Sequence, residues 1–145
     1  GFRLPTEVEW EWFARGGQIA IDEGTFDYTY SGSNNINEVA WYYENSGAKN
    51  GNGTGSTQDV GLKKPNQLGL YDCSGNVWEW CYDTTENIEE GKNYIYKAFD
   101  SSNIYRRLKG GSWSKYAKNC AVLNRYSFQA TNAGYVIGFR LVRTV

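Results

Sequence analysis

Only one stretch of this sequence keeps a helical period, and it comes at the very start. Residues 4–17 read Leu-Pro-Thr-Glu-Val-Glu-Trp-Glu-Trp-Phe-Ala-Arg-Gly-Gly. Thr6 stands as an N-cap with Glu9 three positions on, the spacing of a capping box. Glu7, Glu9 and Glu11 put carboxylates at the positive end of the helix dipole. Trp10, Phe13 and Ala14 form an i, i+3, i+4 apolar stripe, and Gly16 supplies the stop. Nothing after this point is so regular. Residues 18–70 are rich in Gly, Asn and Ser, and Gly47 to Thr57 reads as a flexible loop. Val39-Ala40-Trp41-Tyr42-Tyr43 is a short apolar island, the length of one helical turn. Val77 to Asp83 alternates with period two, as a strand does. Arg106 to Lys109 reads as a strand entering the turn Gly110-Gly111, and Val136 to Arg143 as a closing strand. One helix, short strands and long irregular connections point to an unusual scaffold or to loops kept for function. No internal repeat and no domain boundary is visible.

Composition then removes whole classes of chemistry. The 145 residues include no His, so there is no imidazole base and no His-ligated metal site. Three Cys cannot fill a four-Cys site and allow at most one disulfide. The chain lacks Met and begins Gly1-Phe2-Arg3, which reads as a processed product or a piece of something longer. No apolar run approaches the ~18 residues of a membrane span. The net charge of -1 hides an uneven distribution. Residues 1–100 hold all 16 acidic and 7 basic groups, net -9; residues 101–145 hold 8 basic groups and no acid, net +8. Such a half is either a sheet region poor in carboxylates or a surface for anionic and polar partners.

Four strings carry a resemblance. In order they are Gly1-Phe2-Arg3-Leu4-Pro5-Thr6-Glu7-Val8-Glu9-Trp10-Glu11, Asn66-Gln67-Leu68-Gly69-Leu70-Tyr71-Asp72, Ser74-Gly75-Asn76-Val77-Trp78-Glu79-Trp80, and Lys109-Gly110-Gly111-Ser112-Trp113 with Gly138-Phe139-Arg140 near the end. Together they resemble the formylglycine-generating-enzyme (sulfatase-modifying factor) family. The resemblance implies an α+β, C-type lectin-like fold with few helices, short twisted antiparallel sheets and much irregular structure. It covers residues 1–145 as the C-terminal part of one domain, so it also implies an upstream segment of the same fold, removed or separate. The family's enzymes bind copper through two cysteines just after the Gly-Gly-Ser-aromatic turn. Those positions fall on Lys115 and Cys120, and an ammonium beside one thiolate cannot form a two-thiolate Cu(I) site. No copper is therefore expected. The resemblance further implies a structural calcium at Asp72, Gly75, Val77 and Glu79, with two side chains and two backbone carbonyls as ligands, which suits a hard cation. The competing reading has Glu79 accepting hydrogen bonds and Asp72 capping the turn. Cys120 reads as a buried small residue or as a disulfide partner of Cys81; Cys73 reads as core.

Residues 114–136 differ from the rest. They mix Tyr116, Tyr126, Phe128 and Tyr135 with Ser, Asn, Gln, Thr and Lys and contain no acid, a paratope-like composition. This passage is similar to the variable region of diversity-generating-retroelement target proteins, which rewrite chosen codons on this same type of scaffold. The expected ligand-binding set is Ser114, Lys115, Tyr116, Lys118, Asn119, Tyr126, Phe128, Gln129, Thr131, Asn132, Tyr135 and Val136, with Val122 and Leu123 as core and Arg125 and Arg140 as scaffold. The resemblance implies a non-enzymatic receptor or adhesin for a protein or other macromolecule. It places that receptor at the cell surface or outside the cell, through an upstream lipoprotein anchor, with no nucleic-acid partner. The alternatives are an oxygen-dependent oxidoreductase acting through Cys120 and a polyanion-binding module built on the basic half.

Overall fold

The computed structural model describes residues 1–48, 55–85 and 105–143. The core of the expected Gly47–Thr57 loop falls outside them. The first helix, α1 (Glu7–Ala14), forms as its caps dictate. Thr6 Oγ1 accepts from the Glu9 N–H at 3.0 Å, and Glu9 Oε2 accepts from the Thr6 N–H at 2.8 Å. Gly16 turns the chain left-handed at φ 91°, and the helix ends. A second helix unforeseen in the sequence, α2 (Gly17–Asp22), starts at once, because Gly16 is also its N-cap. The apolar island divides. Asn35 caps a single turn, α3 (Ile36–Val39), and the chain then extends into a two-residue strand, β2 (Ala40–Trp41).

The remaining strands are β1 (Phe2–Arg3), β3 (Ser74–Gly75), β4 (Trp78–Thr84), β5 (Tyr105–Lys109), β6 (Tyr126–Gln129), β7 (Ile137–Gly138) and β8 (Val142–Arg143). They make a four-stranded sheet in the order β6-β5-β4-β7, and two small ribbons, β1-β8 and β2-β3. In the main sheet β5 runs antiparallel to both β4 and β6, whereas β7 is parallel to β4. The closing strand expected over Val136 to Arg143 is therefore broken in two. Between β7 and β8 the chain turns Arg140 inward to meet Glu79, and it changes sheet as it does so. These short sheets, few helices and long connections are an α+β, C-type lectin-like fold of the formylglycine-generating-enzyme type. Among the described residues no helix is long and apolar enough to cross a membrane.

One face of the main sheet carries Glu79, Cys81 and Asp83, and α1 lies across it. Trp10 is fully buried there with Ala14, Cys73, Cys81 and Val122, flanked by Phe13 and Leu70. Several polar groups under the helix are paired across it. The Trp10 indole donates to Glu79 at 2.6 Å, the Glu7 N–H donates to the Asp83 carboxylate at 2.6 Å, and the Tyr82 N–H donates to the Pro5 carbonyl. A second apolar cluster gathers Ile36, Val39, Ala40, Tyr42 and Cys120. Asn66 ties the irregular chain to α1. Its amide donates to the Phe13 and Ala14 carbonyls and to Ser31, and its carbonyl accepts from the Leu68 and Leu70 N–H groups. A buried loop must find such partners, because unpaired polar groups away from water are costly.

The capping box makes a specific demand at acid pH. Arg3 donates twice to Glu9 at 2.7 Å and draws its carboxyl from the ordinary 4.5 down to about 2, against the opposing effect of burial. A carboxyl whose folded pKa is depressed stabilises the fold above 4.5, and this contribution is lost as the pH falls toward about 2. Thermal melts should therefore drop through that window, and Glu9→Gln should flatten this part of the curve. An unchanged acid limb in the variant would count against the assignment.

Candidate ligand-binding surface

The surface begins at the turn Gly110-Gly111. Gly111 has φ 75°, and a Cβ there would lie 2.7 Å from Cys120 Sγ and 2.8 Å from the Asn119 carbonyl. Only glycine lets the 3-10 turn Ala117–Cys120 close down onto it. Cys120 is consequently 0% exposed, and burial pushes its thiol up to about 12. Cys73 is buried with its thiol also at about 12, and burial raises Cys81 further still. All three thiols are free. The Cys81–Cys120 disulfide entertained from the sequence is not formed, because the two residues sit in separate apolar clusters. Lys115, at the position of the other copper-binding cysteine, points to solvent.

The structure leaves the whole expected contact set accessible. Lys115, Tyr116, Lys118, Tyr126, Phe128, Thr131 and Tyr135 are exposed, and Ser114, Asn119, Gln129, Asn132 and Val136 are partly so. The aromatic members are braced from behind. Tyr116 leans on Tyr43 at 5.0 Å, and Tyr126 stacks on the buried Trp78 at 5.4 Å and 27°. Phe128 lies beside Tyr126, and Tyr135 lies against Trp113 at 6.0 Å. A ring stacked on a buried neighbour, as Tyr126 is on Trp78, has less conformational freedom to lose on binding. Tyr43 and Trp78 were outside the expected set. They support the surface without forming its outer layer, and no local pattern in the sequence marks that role. Val122 is core as expected, but Leu123 is 67% exposed. The correction has a simple cause. Val122 N–H is held by the Thr29 carbonyl, and the turn from Ala121 to Asn124 pitches Leu123 outward.

Beneath the surface lies one buried carboxylate. Glu7 accepts from Arg125 Nε at 2.7 Å and Nη2 at 2.6 Å, a bidentate pair. Arg107 and Lys109 each approach it at 3.9 Å. Lys109 is 0% exposed and also reaches Glu11 at 3.3 Å. Burial lowers the Lys109 pKa, while Glu11 and Glu7 oppose that shift. Arg125 immediately precedes β6, so its grip on Glu7 fixes the strand that presents Tyr126 and Phe128. The charge asymmetry of the sequence is thereby explained in part. Arg107, Lys109, Arg125 and Arg140 are engaged by carboxylates of the acidic half and are not displayed to a polyanion.

The positions implied for calcium cluster around Arg140. Both Glu79 oxygens accept from Arg140 at 2.6 Å, and Oε2 also accepts from Trp10. Asp72 Oδ2 accepts from the Gly61 N–H at 2.8 Å, and Arg140 reaches the Tyr71 carbonyl beside it. Gly75 is buried with its N–H on the Gly110 carbonyl, and Val77 is partly buried. Both Glu79 oxygens are thus taken by Arg140 and Trp10, whereas Asp72 Oδ1 is buried without a hydrogen-bond partner among the described residues. Among the described residues no group of three or more Cys, Asp or Glu side chains is gathered so as to hold a metal ion. Glu79 does accept hydrogen bonds, but from Trp10 and Arg140 and not from within its own turn.

Comparison with known proteins follows the same lines. The sulfatase-modifying factor enzyme 1-like domain matches residues 1–145. The chain is 38% identical over 154 residues to chaperone protein LppX of Paenibacillus barcinonensis, covering 99% of this chain and 50% of that protein. It is 34% identical to a formylglycine-generating enzyme of Thermomonospora curvata, covering 90% of this chain and 43% of the enzyme. Among solved structures it superimposes on Treponema denticola variable protein 1 with a TM-score of 0.77 and 41% identity, over 97% of this chain and 47% of the other. It superimposes on CarF with a TM-score of 0.74 and 32% identity, over 100% and 48%. The chain thus spans about half the length of the relatives it matches.

Two outcomes are expected from this geometry. Glu7→Gln leaves three buried or half-buried cations without their shared charge and should cost about 3 kcal/mol in denaturant unfolding. A loss below about 1 kcal/mol, the worth of a surface pair, would remove Glu7 from this role. Calcium chloride and a chelator should give the same melting temperature; a rise of several degrees with calcium would restore the cation site.

Proposed function

The chain belongs to the sulfatase-modifying factor family, and we propose that within it this protein is a non-enzymatic receptor that binds a macromolecular ligand through residues 114–136. The observation that carries this reading is the bracing of an exposed polar-aromatic layer by a fixed framework. Tyr126 stacks on Trp78, and Tyr116 and Tyr135 make tilted ring contacts with Tyr43 and Trp113 while staying exposed. Large rigid aromatic area with small polar neighbours suits protein recognition, where a few anchors carry most of the binding energy. The likeness to a variable protein at 41% identity supports the reading. So does the separation of roles along β6, where the anchor Arg125 and the exposed Tyr126 are adjacent. Substitutions at the outward positions would leave the buried ion pairs untouched. The ligand is a protein or another macromolecule, met at the cell surface or outside the cell.

The oxidase reading draws on the formylglycine-generating enzymes among the relatives. Against it stand Lys115 at the partner position and a Cys120 thiol that is fully buried and raised to about 12. A nucleophilic or metal-binding cysteine needs the thiolate, which such a site suppresses.

Sequencing this gene from several isolates tests the proposal. Substitutions should concentrate on Lys115, Tyr116, Lys118, Tyr126, Phe128, Thr131 and Tyr135, with Gly111, Cys120, Val122 and Arg125 constant. Divergence spread evenly over buried and exposed positions would overturn it.

A further inference from the structure

The carboxylate-free half of the chain holds 8 basic residues, and the fold treats them differently. The guanidiniums of Arg107, Arg125 and Arg140 and the buried ammonium of Lys109 turn inward to Glu7, Glu11 and Glu79. Lys115 and Lys118 do the opposite. Both are exposed, one on each side of Tyr116 in the chain, and neither side chain makes an ion pair or a hydrogen bond among the described residues. Glu44 follows Tyr43, but no ion pair joins it to either lysine. The two stems start from fixed backbone. The Lys115 N–H donates to the Ser112 carbonyl at 3.0 Å, and the Lys115 carbonyl accepts from the Tyr43 N–H at 2.9 Å. The Asn119 N–H donates to the Tyr116 carbonyl at 2.9 Å and closes the turn that carries Lys118. Trp113, two residues before Lys115, reaches Tyr135 through its ring and its indole N–H, so this turn and the exposed Tyr135 belong to one surface.

We infer that the ligand is a protein with an acidic patch, whose Asp or Glu carboxylates meet Lys115 and Lys118 while its apolar side chains pack on Tyr116 and Tyr135. The assignment rests on the receptor reading above and adds the chemical class of the partner. Two like charges on one turn repel each other, and carboxylates brought by a partner replace that repulsion with attraction. Planar, bidentate grips on phosphate and sulfate are the work of guanidinium, whereas an ammonium is a compact, hydrated point charge. Here three guanidiniums are used inside the fold and ammonium groups are left outside. Two of them match a pair of side-chain carboxylates and are too few for a polyanion, which is held by a run of cationic contacts. The chain as a whole carries a net charge of -1, so attraction for acids belongs to this patch and not to the overall charge. The rings supply contact area, and the lysines supply orientation and speed of encounter, since charges of this kind act on association and specificity more than on affinity.

The experiment selects binders from a library of random peptides displayed on phage, on the full-length protein and, in parallel, on its Lys115→Glu/Lys118→Glu variant. Both lysines are exposed, so the variant keeps the fold. Peptides selected on the protein should be enriched in Asp and Glu relative to those selected on the variant. The strongest of them, synthesised, should bind the variant at least about tenfold more weakly. Lys115→Arg/Lys118→Arg should keep most of the binding, because the positive charges remain. Peptides without an acidic excess, or a library that enriches nothing, would overturn the inference. Lysine-dependent binding to heparin that is tighter than to any selected peptide would overturn it in favour of a polyanion. Tyr116→Ala and Tyr135→Ala separate the two levels. Peptide binding that needs these tyrosines but shows no acid preference refutes this inference alone. Binding indifferent to both tyrosines and both lysines refutes the receptor reading on which it rests.

Discussion

The Glu7 carboxylate is the contact on which the arrangement turns. It sits in the first turn of α1, out of water, with Arg125 doubly bonded to it and Arg107 and Lys109 nearby. Burying an ion costs several kcal/mol, so the cluster is weak evidence of stability in itself. Its value is in specificity. One helix, the inner strand β5 and the start of β6 are brought to a single point. Glu79 repeats the device at mid-helix, joining Trp10, β4 and Arg140. Between these two carboxylates α1 is pinned across the sheet, and the broken path of the C-terminal chain follows from it.

This arrangement separates what holds the fold from what lies exposed on its outer layer. Arg125 points toward the helix, and Tyr126, the next residue, points away and stacks on Trp78. Alternation along a strand is enough to divide the duties. The 3-10 turn behaves in the same way, with Cys120 sealed under Gly111 and Tyr116 and Lys118 outside. Side chains on the outer layer can change without reaching the ion pairs or the two apolar clusters. A surface that tolerates change needs a scaffold whose determinants lie elsewhere, and this chain has them on the opposite face of the sheet.

The positions that the family resemblance singles out for chemistry are engaged inside the fold. The thiol that survives at a family cysteine position is sealed and kept protonated by its surroundings, and its partner position carries a solvated ammonium. Glu79, a residue type suited to calcium, is committed to a guanidinium and an indole. Both positions have become part of the packing.

Much of this was legible in the chain itself. The capping box, the Gly16 stop and the strands at Val77 to Asp83 and Arg106 to Lys109 follow from local periodicity and caps, while the set within 114–136 came from a family resemblance. Such signals act over a few residues and do not need the rest of the fold. Other features were settled only by contacts far apart in sequence. Helix α2, the split of the apolar island and the break between β7 and β8 depend on where Gly16, Asn35 and Arg140 find their partners. Leu123 looked like core by its chemistry and lies outside because a turn anchored on Thr29 directs it there. Lys109 is fully buried because Glu7 and Glu11, some 100 residues earlier, lie beside it. The sequence by itself determined which residues could form elements and which could face a ligand; the tertiary structure decided which charges were neutralised inside, since only folding brings an acidic first half against a basic second half.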